Sequence, residues 1–444
     1  MIARADRARR ARAVTATGPH PTAVLIRLSV ALGATAGFSL GLVLLGAVAL
    51  GNTASLPWAS LVQVHGQVQV IGFVGLFIFG TAAQLLPGFL SRPLTHRRPI
   101  VYGGSLVAIG LIARAIAQPL DPGTIRSLVL VLSALGEATG IGLCLFSFQD
   151  LARRSIQPPD LWRSFAGIGF AFLVVSQVLN VVAVASLIGG RSVVPASLDA
   201  AIVQVELWGF VTFLTLGVSR KILPRFLLLP APDDGRLRWG VGLYLIGVIL
   251  VVAGWLLQGV TPVASLGNVV RAIGAWPQLI GVVLYVEALR LYRPATRPSG
   301  APGVTEPARR WLRIAFGWLV IANALGAVWA TRLLFGGPLA GFFEQTAERH
   351  ALAQGFVMLI IVAYSARILP GFSAWAIAHP RFVEALVALI TGGAALRVIG
   401  ELAVTPIGAT AELVAGLGGT LAVIAFLGFA VAIVRTTTGG ARHR

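Results

Sequence analysis

Gly72-Phe73, twelve residues, then Leu86-Pro87-Gly88-Phe89 is the stretch that decides the fold, because the chain writes it three times. It returns as Gly209-Phe210 with Leu223-Pro224-Arg225-Phe226, and again as Gly355-Phe356 with Leu369-Pro370-Gly371-Phe372. Self-similarity at a fixed long period is the signature of an architecture built from repeated units. Each copy lies in an apolar run, so the units are to be sought among apolar segments.

The 444 residues are 57% hydrophobic and 11% charged, with a mean hydropathy of +0.86. A soluble domain carries roughly 25% charged residues, so this composition is that of an integral membrane protein. Apolar stretches long enough to span a bilayer are expected at 24–50, 58–86, 100–118, 125–149, 162–188, 198–223, 239–257, 268–291, 311–333, 345–369, 381–403 and 409–434. The alternation of a membrane β-barrel is absent. The formal net charge of +19 is not read as a nucleic-acid surface. Basic clusters occupy every second loop, among them Arg4 to Arg12, Arg92 to Arg98, Arg220 to Arg238 and the Arg435 to Arg444 tail. The alternate loops, such as 119–124 and 404–408, are short and nearly uncharged. This is the positive-inside pattern, and it predicts both termini in the cytoplasm of a bacterial-type plasma membrane. The lone Cys144 excludes disulfides, cysteine zinc sites and iron–sulfur clusters.

The three motif copies fall on expected helices two, six and ten. The expected fold is therefore all-α, with a four-helix unit of about 140 residues present three times. The units run over 24–156, 157–296 and 297–436, between a basic tail at 1–23 and a second tail at 437–444. The motif glycines, with Gly80, Gly217 and Ala363 eight residues further on, let helices approach closely. Gln84, Lys221 and Arg367 reach toward cytoplasmic water, and each motif proline is expected to end its helix. A period of four across twelve helices resembles the three-arc architecture of heme-copper oxidase main subunits, whereas major-facilitator transporters repeat in halves of six.

Two histidines lie inside apolar segments, His65 and His350. At 1.5 Å per residue they stand roughly 33 and 30 Å above Pro87 and Pro370, at matched depth near the outer face. Neutral imidazole is an axial ligand for heme iron, and two on neighbouring helices can clamp one heme edge-on. The same two residues can equally bond backbone or water, and they are offset by two in the repeat register, where His350 aligns with Gln67 and Gln204. The segment His65-Gly66-Gln67-Val68-Gln69-Val70-Ile71-Gly72-Phe73 resembles the His-x-His-Glu-x-x-x-Gly-Phe of the NnrS family. His350-Ala351-Leu352-Ala353-Gln354-Gly355 resembles that family's late His-Ala-Leu-x-x-Gly.

The resemblance implies a twelve-helix relative of oxidase subunits that carries heme and is linked to nitric-oxide tolerance. It makes His65 and His350 the axial ligands of one b-type heme between helices two and ten. Gln67 stands where the family has a second histidine and Val68 where it has glutamate, which puts any copper site in doubt. The histidines of an oxidase or nitric-oxide reductase binuclear centre are missing, so catalysis of that kind is not expected. Arg114, Arg349 and Arg397 are candidates to hold heme propionates, with snorkelling, or pairing to Glu344, Glu348 and Glu401, as the alternative. Glu137, mid-way along helix four, is a candidate proton carrier, and Glu206 stands at histidine depth on helix six. The competing functions are a non-heme carrier or channel using Glu137, Glu206 and the outer arginines, and a scaffold without cofactors. A redox partner is implied by the heme reading alone.

Overall fold

The structure is a computed structural model that describes residues 22–294, 306–373 and 380–438. Among these residues all regular structure is helical, and twelve helices are long and apolar enough to cross a membrane. They are α1 (Ala23–Ala49), α2 (Trp58–Leu90), α3 (Arg97–Ala117), α4 (Thr124–Arg153), α5 (Leu161–Ile188) and α6 (Ala196–Phe226). The rest are α7 (Asp234–Gln258), α8 (Thr261–Ala288), α9 (Pro307–Leu334), α10 (Phe342–Leu369), α11 (Arg381–Ile407) and α12 (Ala409–Thr437). The chain is thus a polytopic membrane protein, as its composition requires. Several helices start earlier than apolarity alone predicts. Helix α7 begins at Asp234, because the Asp233 carboxylate caps it by accepting from the Arg236 backbone N–H at 3.1 Å.

Helices α2, α6 and α10 form the centre. Their most apolar stretches are 61, 83 and 72% buried, against 39–50% for the other nine. The large exposed side chains fall instead on peripheral helices, for example Ile109 and Ile116 on α3, Val178 and Val182 on α5, and Leu417 and Ile424 on α12. A helix whose outer face is apolar has lipid as its solvent.

Close backbone approach holds the bundle together. The motif glycines sit under side chains of the preceding helix: Gly72 near Leu32 of α1, Gly209 under Phe172 of α5, and Gly355 under Trp318 of α9. Gly80 lies against Ile26 and Gly217 against the Trp162 carbonyl, so the expected close packing is present at both. The peripheral hairpins α3–α4, α7–α8 and α11–α12 use a second device. Glycines seven residues apart, Gly103 and Gly110, Gly240 to Gly254, and Gly393 and Gly400, face the backbone of the partner helix. Packing in lipid gains little from apolar burial, so dispersion between closely apposed backbones carries the association.

Each central helix also contains a π-helical stretch across its motif, at Val68–Gly75, Gln204–Val211 and Ala351–Met358, and α1 has one at Gly33–Ser39. The wider turns release carbonyls from the regular ladder. Hydroxyls take up two of them: Ser39 Oγ donates to Ala34 O at 2.6 Å and Thr212 Oγ1 to Leu207 O at 2.8 Å. The π stretches of α2 and α6 touch, as do those of α6 and α10.

The motif prolines do not end their helices. Helix α2 continues from Pro87 to Leu90 and α6 from Pro224 to Phe226. The stop comes at Ser91 and Leu228, both left-handed (φ 51° and 48°). The next amide then turns back onto the proline carbonyl, Arg92 N to Pro87 O at 3.1 Å and Leu229 N to Pro224 O at 3.0 Å. A proline forfeits only its own N–H, so the helix survives it for one more turn, and a left-handed residue closes the end. The side chains of the third copy's Pro370 to Phe372 lie outside the described residues.

A Cβ on Gly240 would stand 2.9 Å from both Gly281 O and Tyr285 N, whereas one on Gly242 would meet nothing within 4 Å. Gly240→Val is expected to cost about 1–3 kcal/mol, read as an earlier thermal transition of the detergent-solubilised protein. Gly242→Ala is expected to leave that transition unchanged or raise it slightly.

Candidate functional site

Seven helices, α1, α2, α3, α6, α10, α11 and α12, line one cavity of about 1530 Å³ toward the His65 end of the bundle. His65, Gln67, Arg114, Glu206, Arg349, His350 and Arg397 all line it. The two histidines that sequence depth matched are therefore brought to one space. Its other walls are apolar and aromatic, including Phe38, Leu42, Val70 and Phe343.

Each imidazole is fixed through Nδ1. His65 Nδ1 lies 2.9 Å from the Gly37 carbonyl. A carbonyl only accepts, so Nδ1 carries the proton and Nε2 keeps its lone pair. Gly37 can present that oxygen because its backbone leaves the helical region (φ −83°, ψ −105°) inside the α1 π stretch. Gly41, one turn on, lies under the His65 ring, where a Cβ would come within 2.7 Å of Cε1. His350 Nδ1 lies 3.1 Å from Glu401 Oε2, while Arg397 Nε donates to Glu401 Oε1 at 2.7 Å. A carboxylate already held by arginine accepts from the imidazole, so His350 also directs its Nε2 lone pair away from its anchor. Among the described residues neither Nε2 makes a hydrogen bond to protein.

The arginines separate into different roles. Arg397 is paired with Glu401, four residues on, the alternative to propionate binding raised from the sequence. Arg114 is buried at 4% exposure, donating from Nε to Gln118 Oε1 at 2.9 Å and from Nη1 to Asn180 Oδ1. Arg349 makes no hydrogen bond among the described residues and faces Asp199 and Glu348 electrostatically. It is the guanidinium with free donors in the cavity wall.

Glu137 does not line the cavity. It is fully buried in α4, accepting from Ser133 Oγ at 3.2 Å and from Asn180 Nδ2 at 3.4 Å. Asn180 therefore links Glu137 to Arg114. Glu206 accepts from Gln67 Nε2 at 3.3 Å, which joins α2 to α6. Gln204 points elsewhere, donating to Gln278 Oε1 at 3.0 Å, and Gln278 in turn donates to Asn323 Oδ1 at 2.8 Å. Gln67, Gln204 and His350 stand at one register position, 20 residues before their prolines. Each makes a polar bond to a different helix: α6, α8 and α11 respectively. Gly37, Asn180 and Asp199 were not legible as site residues. Only the buried-asparagine and glycine content of apolar helices could have pointed to the first two.

Among the described residues no group of three or more His, Cys, Asp or Glu could hold a metal ion by protein ligands alone. No protein-family model matches the chain, and no curated protein matches it. Function is therefore argued from the site.

Arg114 faces the carboxylates of Glu137 and Glu206 in an interior without water-like screening. Arg114→Met is expected to destabilise by about 3–5 kcal/mol, since it strands buried partners. Glu137→Gln should cost less, because the amide still bonds Ser133. The double variant should recover part of the Arg114→Met loss, measured as the thermal transition of each purified protein.

Proposed function

We propose that the chain is an NnrS-like membrane protein that binds one b-type heme between α2 and α10, with His65 and His350 as axial ligands. One observation carries the proposal: both imidazoles line a single cavity, each tied through Nδ1 with Nε2 left for a metal. The donor chemistry fits the group. A neutral imidazole whose Nδ1–H is held by a carbonyl or carboxylate is oriented and made more basic at Nε2. The apolar wall suits a porphyrin face, and Arg349, with free donors, suits a propionate. Arg397 would act through Glu401 on His350, and Arg114 belongs to the neighbouring Asn180–Glu137 network. When bound, the heme would supply a one-electron couple within the membrane, serving nitric-oxide response or electron transfer with a redox partner.

The frame we infer is that of three four-helix units, like the main subunit of a heme-copper oxidase. Supporting it are three in-register features. The π stretches cover every motif copy, and Gly110, Gly247 and Gly393 each stand 23 residues past a motif proline. Arg114 and Arg397 stand 27 past theirs. The loop charges support a bacterial inner-membrane location with both termini in the cytoplasm.

Protein purified after growth with a heme precursor is expected to show a Soret band that shifts and sharpens on dithionite reduction. His65→Ala and His350→Ala should each abolish the low-spin spectrum. A spectrum without a Soret band after heme supplementation rejects the heme, and unchanged spectra in both variants reject the ligands. A milder expectation concerns Glu401→Gln, which should retain the low-spin heme spectrum while raising the midpoint of reduction, because it removes the carboxylate that strengthens His350 as a donor, read by redox titration against the unsubstituted protein.

A further inference from the structure

A second, smaller pocket of about 740 Å³ lies between α6, α7, α8, α9 and α10, and the heme reading does not use it. Three tryptophans, Trp208, Trp255 and Trp329, form its flat walls. Its amides are occupied with one another. Gln204 donates to Gln278, Gln278 to Asn323, and Asn323 Nδ2 to the Leu319 carbonyl at 2.7 Å. Two donors remain. The indole N–H groups of Trp208 and Trp329 are both shielded from solvent without a hydrogen-bond partner among the described residues, and Trp208 is only 2% exposed. An indole N–H can only donate, so nothing but an acceptor satisfies it. Leaving one buried and unpaired costs about 1–3 kcal/mol.

The charges of the pocket are balanced together with those of the histidine cavity. Arg271 stacks its guanidinium 3.9 Å over the Trp255 ring and faces Glu348. Arg349, on the wall shared with the histidine cavity, faces Glu348 and also Asp199. Within the lining two guanidiniums face one carboxylate, and Asp199 of the neighbouring cavity supplies the second, so the local field is neutral only with both cavities counted. A charged ligand would bring an uncompensated charge into a low-dielectric interior. The vacant chemistry is that of aromatic faces plus two unused donors.

We propose that this pocket binds a flat, uncharged ring bearing carbonyl acceptors, the chemistry of a quinone headgroup, with the Trp208 and Trp329 N–H groups donating to its oxygens. The ring stacks on indole faces, an arrangement favourable beyond simple apolar burial.

The test is isothermal titration calorimetry on the full chain in detergent, with a benzoquinone carrying a single isoprenyl unit. Naphthalene and benzoate serve as the apolar and anionic comparisons. Saturable one-to-one binding of the quinone is expected, with naphthalene and benzoate at least tenfold weaker. Trp208→Phe keeps the ring and removes the donor, so it should weaken quinone binding about tenfold while leaving naphthalene unchanged. Binding of naphthalene as tight as quinone, or a Trp208→Phe variant with unaltered quinone affinity, overturns the proposal. Preference for benzoate overturns it in favour of an anion site, and absence of saturable quinone binding overturns it as well. His65→Ala should retain quinone affinity, so failure of the heme reading and failure of this one are separable.

Discussion

Three π-helical stretches at the centre of the bundle are the constraint on which the remaining architecture depends. Each lies across a Gly-Phe pair on α2, α6 or α10, where the glycine admits a bulky neighbour from the preceding helix. A π turn inserts one residue into the helical register, so side chains above and below it face different directions than a continuous α-helix would allow. The first turns of the stretches, with Val70, Glu206 and Ala353, line the cavity with the histidines. Their last turns, with Val74, Val211 and Val357, line an apolar chamber of about 940 Å³ that also takes in Phe77, Leu214 and Ile360. The buried Phe73, Phe210 and Phe356 lie between the two levels. The motif is thus a partition as well as a packing device, and its proline supplies the carbonyl that closes the helix two or three residues later.

Around the histidine cavity, polar groups are arranged so that nearly every charge has a partner inside the protein. Glu401 is held by Arg397 and His350, and Arg114 by Gln118 and Asn180, with Glu137 and Glu206 in its field. Burying such groups in lipid is tolerable only when each is paired or hydrogen-bonded. The consequence for function is selective. Arginines that looked equivalent by depth are not equivalent in availability, and Arg349 alone of the three candidates keeps its donors unspent among the described residues. Fixing both imidazoles through Nδ1 uses the same logic: a π-turn carbonyl and a buried carboxylate set the orientation of the two rings.

Much of the membrane architecture was legible before any coordinate. All twelve spans overlap their expected segments, and Gly80 and Gly217 sit at close helix contacts as their spacing suggested. The proline was misjudged because its steric rule was applied without the left-handed residues that follow it, Ser91 and Leu228. The start of α7 was placed late because Asp233 is polar, and its polarity is what caps the helix.

The sequence by itself determined that the chain is a membrane protein, how many segments are long and apolar enough to cross a bilayer, and that His65 and His350 stand at similar spacings, 22 and 20 residues, before their motif prolines. Span length, charge distribution and helical rise are one-dimensional quantities, so the order of residues suffices to fix them. Only the tertiary structure decided that both imidazoles face one cavity, that Gly37 and Glu401 hold them, and that Gln204 turns toward Gln278 instead. Those facts depend on the rotation of each helix about its axis. In a membrane protein the lipid-facing and core-facing sides are both apolar, so no hydrophobic periodicity in the sequence records that rotation. It is set by glycine contacts, π turns and buried polar pairs, which become visible only once the helices are side by side.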